Sequence, residues 1–205
     1  MQEVRVPDAA IREAVRVVRA GGVVAFPTET CYGLGVDPFN NQALARLFAV
    51  KGRQRLKPVL VLVRDREQID RLVTSVPPPF LPVMARFWPG PVTLVFPARP
   101  GLPELLTGNT GTVGIRRSPH PCAARLLERL GSPLTATSAN RSGAAPARTA
   151  GEIKAAFGRD VDLVLDDGAT PGNLPSTLVG CRDGRLVCLR EGAIPFARIL
   201  ASLEG

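Results

Sequence analysis

The chain has 205 residues, enough for one well-buried core and too few for two comfortable domains, so residues 1–205 are read as a single domain. With 45% hydrophobic and 21% charged residues, no run of eighteen apolar residues and no apolar h-region in MQEVRVPDAA, it reads as neither membrane-spanning nor secreted, and is expected in the cytoplasm. A net charge of +8 suits polyanions, although only Lys51, Lys57 and Lys154 of the 26 basic residues are lysines, so the arginine excess also fits a codon bias.

The predicted elements follow in chain order. Residues 8–20 read as an amphipathic helix, with Asp8 as cap, Ile11, Val15 and Val18 on one face and Gly21-Gly22 as the stop. A short buried strand over 23–26 halts at Pro27. Asn41 can cap a second helix carrying Leu44, Leu47 and Phe48. The β-branched run 59–63 has the character of a central strand, and 66–73 of a short helix. Residues 79–88 are Pro-rich and aromatic, followed by strand 92–96. Then come strand 112–116, helix 121–130, strand 133–137, and a helix to Phe157 opened by a Thr149/Glu152 capping box. A strand over 161–165 precedes a hairpin of 176–181 and 185–190 turning at Asp183-Gly184, and a helix over 196–203 closes the chain. Interleaved strands and helices make the class α/β, and the hairpin makes the sheet mixed.

Five polar segments stand near the ends of these elements, where α/β sheets place ligands. Pro27-Thr28-Glu29-Thr30-Cys31-Tyr32-Gly33-Leu34-Gly35 offers hydroxyls and a carboxylate before its glycines; a small polar ligand and an ordinary loop both explain it. Lys51-Gly-Arg53-Gln-Arg-Leu-Lys57 gathers two of the three lysines, either to neutralise phosphates or as a solvated loop. It is not a Walker A loop, and no G-x-G-x-x-G follows a strand. Arg116 ends strand 112–116 and can clamp a carboxylate, with Arg117 on the opposite face. Thr135 to Asn140 offers hydroxyl and amide groups with no partner base, which suits ligand binding rather than a nucleophile. Pro175-Ser176-Thr177 and Arg190-Glu191-Gly192 flank the hairpin. Asp166-Asp167-Gly168 reads first as a turn, with a metal contact as the alternative. Four cysteines without a C-x-x-C pair, and the single His120, argue against a zinc centre or a histidine triad, so no metal ligands are assigned.

Taken in order, P-T-E-T-C-Y-G-L-G at 27–35, K-G-R at 51–53, P-G-P-V-T-L at 89–94, S-A-N at 138–140 and P-S-T at 175–177 make a specific set. Through them the chain resembles the YrdC family of threonylcarbamoyl-AMP synthases over nearly its whole length. The resemblance implies a twisted mixed parallel/antiparallel sheet with flanking helices around a concave, positively charged cavity. It implies ATP held by Lys51, Arg53, Thr112, Ser138, Asn140 and Arg190, with Lys51 and Arg53 catalytic through the phosphates. Thr28, Lys57, Arg116 and Ser176 would hold L-threonine. The implied reaction joins threonine, bicarbonate and ATP into threonylcarbamoyl-AMP and pyrophosphate, with Mg2+ accompanying ATP and a tRNA threonylcarbamoyl-transfer machinery downstream. The alternative reading is a module binding double-stranded RNA or tRNA without chemistry. Four positions depart from the family's pattern: Cys31 where Val is commoner, Gln54 for a frequent Pro, Arg141 for the usual Leu, and Glu191 for a frequent Pro.

Overall fold

The computed structural model describes residues 6–52, 54, 57–172, 174–201 and 203. Helix α1 (Asp8–Arg19) leads into an antiparallel hairpin, β1 (Val24–Pro27) and β2 (Tyr32–Gly35), and then α2 (Asn41–Lys51). Strand β3 (Val61–Leu62), α3 (Arg66–Asp70), α4 (Phe80–Phe87) and β4 (Val92–Pro97) follow, then α5 (Glu104–Thr107), β5 (Thr112–Arg116) and α6 (Pro121–Leu130). The remaining elements are β6 (Leu134–Thr135), β7 (Thr137–Ser138), α7 (Ala150–Phe157), β8 (Leu163–Val164), β9 (Thr177–Arg182), β10 (Arg185–Arg190) and α8 (Phe196–Ala201).

The strands form two mixed sheets, in the orders β7-β2-β1-β8 and β10-β9-β4-β5-β3-β6. Parallel pairs (β1 with β8, β3 with β5, β4 with β9) sit beside antiparallel ones. The expected strand 133–137 is cut in two at Ala136. Residues 134–135 pair with β3 and residues 137–138 with β2, so one short segment serves both sheets and delivers Ser138 to their junction.

Alternation along the strands explains the layers. Val24 and Phe26 of β1, with Leu62 and Leu134, pack against Ile11, Val15 and Val18 of α1 and Leu126 and Leu127 of α6. Ala25 and Leu34, with Val61, Leu94 and Ile115, pack instead with Leu44 and Leu47 of α2. Neighbouring strand residues point to opposite faces, so helices cover both sides.

Several caps differ by one residue from the sequence reading. Asp8 lies inside α1 after Pro7 and pairs with Arg12, Arg125 and Arg129. Asn40, not Asn41, caps α2, its Oδ1 accepting from the amides of Gln42 and Ala43 at 3.0 Å each. Thr149 caps α7 through the amide of Glu152 at 3.2 Å, while the Glu152 carboxylate reaches back to Arg148 N rather than to Thr149. His120 caps α6, with Nδ1 accepting from Cys122 N at 3.3 Å. Asp183 and Gly184 both have positive φ, 51° and 71°, as the tight turn between β9 and β10 requires. All four cysteines are free thiols.

Candidate active site

The first wall is the turn between β1 and β2. Thr28 is buried, and its Oγ1 donates to Cys31 O at 2.7 Å and lies 3.0 Å from Thr30 Oγ1. These local bonds organise four residues into a tight hairpin tip whose hydroxyls line the cavity. Cys31 is partly buried there. Burial pushes its thiol up from the ordinary value, against the opposing influence of the Arg116 charge.

Strand β5 supplies the second wall. Its period of two places Thr112, Gly114 and Arg116 on one face, and all three line the same cavity. Arg116 is only 3% exposed. Its Nη1 stands 3.3 Å from Glu29 Oε1 and 3.4 Å from Thr30 Oγ1, and Glu29 in turn accepts a hydrogen bond from Ser118 Oγ. Among the described residues, the buried side-chain atoms without a hydrogen-bond partner are Arg116 Nε and Glu29 Oε1. A buried guanidinium with an unused donor is costly by itself and well suited to receive an oxygen acceptor from a ligand.

The third wall comes from the C-terminal hairpin. Ser176 Oγ lies 2.8 Å from Thr93 Oγ1 of β4, and Arg190 Nη2 donates to Ser176 O at 2.8 Å. Gly192 allows this corner to close, because a Cβ there would stand 2.4 Å from Pro175 O and 2.5 Å from Ser176 C. Glu191 accepts from Phe196 N at 3.2 Å and so opens α8, leaving Arg190 to face the cavity. Burial first, and the charge of Arg116 second, hold the Arg190 guanidinium below its ordinary pKa. Two cations that disfavour each other across a shared hollow are a standing invitation to an anion.

The fourth wall carries Ser138, where β7 ends. Ser138 Oγ donates to Asn140 Oδ1 at 2.7 Å, and Asn140 Nδ2 donates to Ala144 O at 2.7 Å, which folds residues 138–144 into a tight turn. Lys51, at the last position of α2 and 3% exposed, directs its ammonium at Ser138 O, Asn140 O (2.8 Å) and Asn140 Oδ1 (3.3 Å). A buried ammonium needs such acceptors, and the end of α2 places them within reach. Lys51 therefore supports the turn that carries Ser138 and Asn140.

Together these walls line a cavity of about 690 Å³ that opens to solvent. Of the expected residues, Thr28, Lys57, Thr112, Arg116, Ser138, Ser176 and Arg190 line it. Lys51 and Asn140 adjoin it through Ser138, and Arg53 lies outside the described residues. Among the described residues, the lining includes cations and hydroxyls but no carboxylate, together with the apolar side chains of Val95, Leu174, Leu178 and Leu189. Such a hollow can hold a molecule with an anionic end and an apolar, planar or aliphatic body. Sequence reasoning overlooked this apolar side, along with the support that Glu29 and Ser118 give Arg116. Thr93, a hydroxyl within the apolar run Val-Thr-Leu-Val-Phe, was the visible signal for the Ser176 contact.

Comparison with known proteins gives a consistent result. The family model Sua5/YciO/YrdC, described as telomere recombination, matches residues 16–192. A threonylcarbamoyl-AMP synthase of Coxiella burnetii is 36% identical over 179 residues, covering 87% of this chain and 96% of its own. One from Thiobacillus denitrificans is 42% identical over 170 residues, covering 83% and 90%. The crystal structure of Pyrococcus abyssi Sua5 complexed with L-threonine superposes with a TM-score of 0.92 at 34% identity, over 97% of this chain and 58% of that one.

Proposed function

Because the chain belongs to the Sua5/YciO/YrdC family, we propose that it makes threonylcarbamoyl-AMP and pyrophosphate from L-threonine, bicarbonate and ATP. The observation that carries this reading is the cavity itself. A buried arginine with an unused Nε, a second arginine across from it and four hydroxyl-bearing walls meet in one hollow. Two anionic groups, an amino-acid carboxylate and a triphosphate, must be held together there, and each arginine offers one of them a charge-assisted fork. The expected alternative, an RNA-binding module without chemistry, does not explain a hollow of this size lined by buried hydroxyls and a buried arginine.

The chemistry asks little of an enzymic base at the adenylation step. Threonine's amine and bicarbonate give a carbamate with loss of water. The carbamate oxygen then attacks the α-phosphorus, a P–O bond forms, the α–β bridging P–O bond breaks, and pyrophosphate leaves with its electron pair. The nucleophile is already an anion, so positioning and charge neutralisation supply the catalysis. In our reading Thr28, Arg116 and Ser176 hold threonine, with Lys57 beside them, and Arg116 takes the carboxylate. Thr112, Ser138, Asn140 and Arg190 hold the nucleotide. Arg53 is assigned to the phosphates from the sequence. Lys51 acts by fixing the Ser138–Asn140 turn and placing a positive charge behind it.

Mg2+ fits as a companion of ATP rather than as a resident metal. The cavity presents hydroxyls and cations, and no group of three or more His, Cys, Asp or Glu side chains able to hold a metal occurs among the described residues. No helix among them is long and apolar enough to cross a membrane. We place the reaction in the cytoplasm, where a transfer machinery would pass the threonylcarbamoyl group to tRNA, and the net charge of +8 suits association with that polyanion.

The direct test is mass detection of threonylcarbamoyl-AMP after mixing pure protein with the three substrates and Mg2+. Product should depend on all three. Absence of the adduct from an otherwise folded protein would refute the assignment.

A further inference from the structure

We infer that Arg141 is a positioning residue for the proposed nucleotide site, a guanidinium that ties the C-terminal ends of α2 and α7 together and thereby fixes the Ser138–Asn140 turn. This inference rests on the nucleotide reading of that turn given above.

The last four carbonyls of an α-helix have no intrahelical partner. At the end of α2 each of them is accounted for. Gly52 N takes Phe48 O and Ala49 O, Arg141 Nη1 donates to Val50 O at 3.2 Å, and Ser142 N donates to Lys51 O at 2.8 Å. Arg141 Nε also donates to Ala156 O at 3.1 Å, near the end of α7, while Nη2 meets Asp160 Oδ2 at 3.0 Å. Its guanidinium carbon lies 5.6 Å from the centre of the Phe157 ring. One side chain therefore bridges two helix ends, each of which carries partial negative charge from the helix dipole. The Asp160 pair is half exposed and contributes little alone; the two carbonyls give the contact its direction.

The consequence follows from connectivity. Arg141 is the next residue after Asn140, so anchoring its side chain behind the turn fixes the backbone that presents Ser138 and Asn140. From the other side, Lys51 holds the carbonyls of the same two residues. The turn is thus clasped between a cation carried by α2 and a cation of its own that reaches back to α2. A leucine at this position could cover Phe157 but could donate to neither carbonyl. Losing preorganisation of a binding loop weakens affinity without removing a contact to the ligand.

The test compares Arg141→Leu and Arg141→Lys with the unaltered chain, using amide hydrogen exchange without ligand and calorimetric titration with ATP and with threonine. Arg141→Leu should speed exchange in residues 138–147 about tenfold and leave β1, β4 and β5 unchanged. It should weaken ATP binding roughly tenfold and keep threonine affinity within about twofold, with Arg141→Lys intermediate in both. Unchanged exchange in 138–147, or an even loss of protection through the whole fold, would overturn the inference. So would equal losses of ATP and threonine affinity. Arg141→Gln, which keeps one amide NH2 group and no charge, gives the same reading if the leucine variant does not fold. If the unaltered chain binds no ATP while exchange responds as expected, the nucleotide assignment falls and Arg141 stands as the clasp of this turn.

Discussion

Replacing Arg116 by methionine separates the two things this side chain does. Methionine keeps much of the stem volume but removes the charge and all five donors. The Arg116 and Glu29 side chains are 4% and 13% exposed, so the Glu29 carboxylate would be left nearly buried with Ser118 as its remaining hydrogen-bond partner. Breaking a buried pair from one side costs about 3–5 kcal/mol. Partial exposure of Glu29 puts this case at the lower end, near 3 kcal/mol of folding stability. Separately, hydrogen bonds to charged groups contribute about 1.5–3 kcal/mol, which corresponds to a threonine affinity lower by roughly 10- to 150-fold. The double variant Arg116→Met/Glu29→Gln removes the stranded charge. It should regain most of the stability in a denaturant melt and none of the threonine binding in a calorimetric titration. If the double variant binds threonine as well as the unaltered chain, the carboxylate is held elsewhere and the assignment of Arg116 is wrong.

Lys51→Met should lower pyrophosphate release dependent on threonine and bicarbonate by about 10²–10³, while a thermal melt shows a fold destabilised by about 1–3 kcal/mol. Near-normal turnover would show that the turn holds its shape without the ammonium. Burial lowers the pKa of His120 below its ordinary 6.5, and its Nδ1 must stay unprotonated to cap α6. Its contribution to stability is therefore full above about pH 6.5 and fades as pH falls through the lower folded value, because the unfolded chain takes up the proton first. His120→Asn, which retains a cap without titrating, should flatten that part of a stability-versus-pH curve; an identical slope in the variant would exclude His120 as its source. Burial raises the Cys31 thiol, so iodoacetamide should modify it slowly at neutral pH and faster as pH rises. Intact mass should show protection by threonine, and alkylated protein should no longer bind threonine if the turn of β1 and β2 lines its pocket.

How far the fold was legible depended on how local its determinants were. Thr112–Arg116 and Pro121–Leu130 have the boundaries read from the sequence, because an alternating strand and an amphipathic helix with Pro at its first position each declare themselves. Strand β2 went unread because Gly33-Leu34-Gly35 has no β-branched residue, and its pairing with Val24–Phe26 is what makes it a strand. Helix α4 was masked by Pro77, Pro78, Pro79 and Pro82, although prolines before a helix and in its first turn remove no intrahelical hydrogen bond. The break at Ala136 leaves no local trace. It exists because Leu134–Thr135 and Thr137–Ser138 answer to different partner strands.

Site residues were legible as chemical groups but not as directions. Lysine at position 51 suits a phosphate by charge, and the end of α2 also brings its ammonium to two carbonyls that the sequence does not pair with it. Arginine at 141 departs from the pattern of the family, and its partners are the distant ends of α2 and α7. Glu29 reads as one more polar residue in a motif, while its neighbour across the structure is the guanidinium at 116. In each case a long-range partner, not the residue type, decides what the group can do. The same reasoning gives the site its asymmetry. Two of the cations that line the hollow, Arg116 and Arg190, are braced through Glu29 and Ser176, whereas Lys51 and Arg141 brace the turn from behind. Changes to the first pair should fall mainly on the affinity for the anionic substrates themselves. Changes to the second should act through the order of residues 138–144 and leave threonine binding intact.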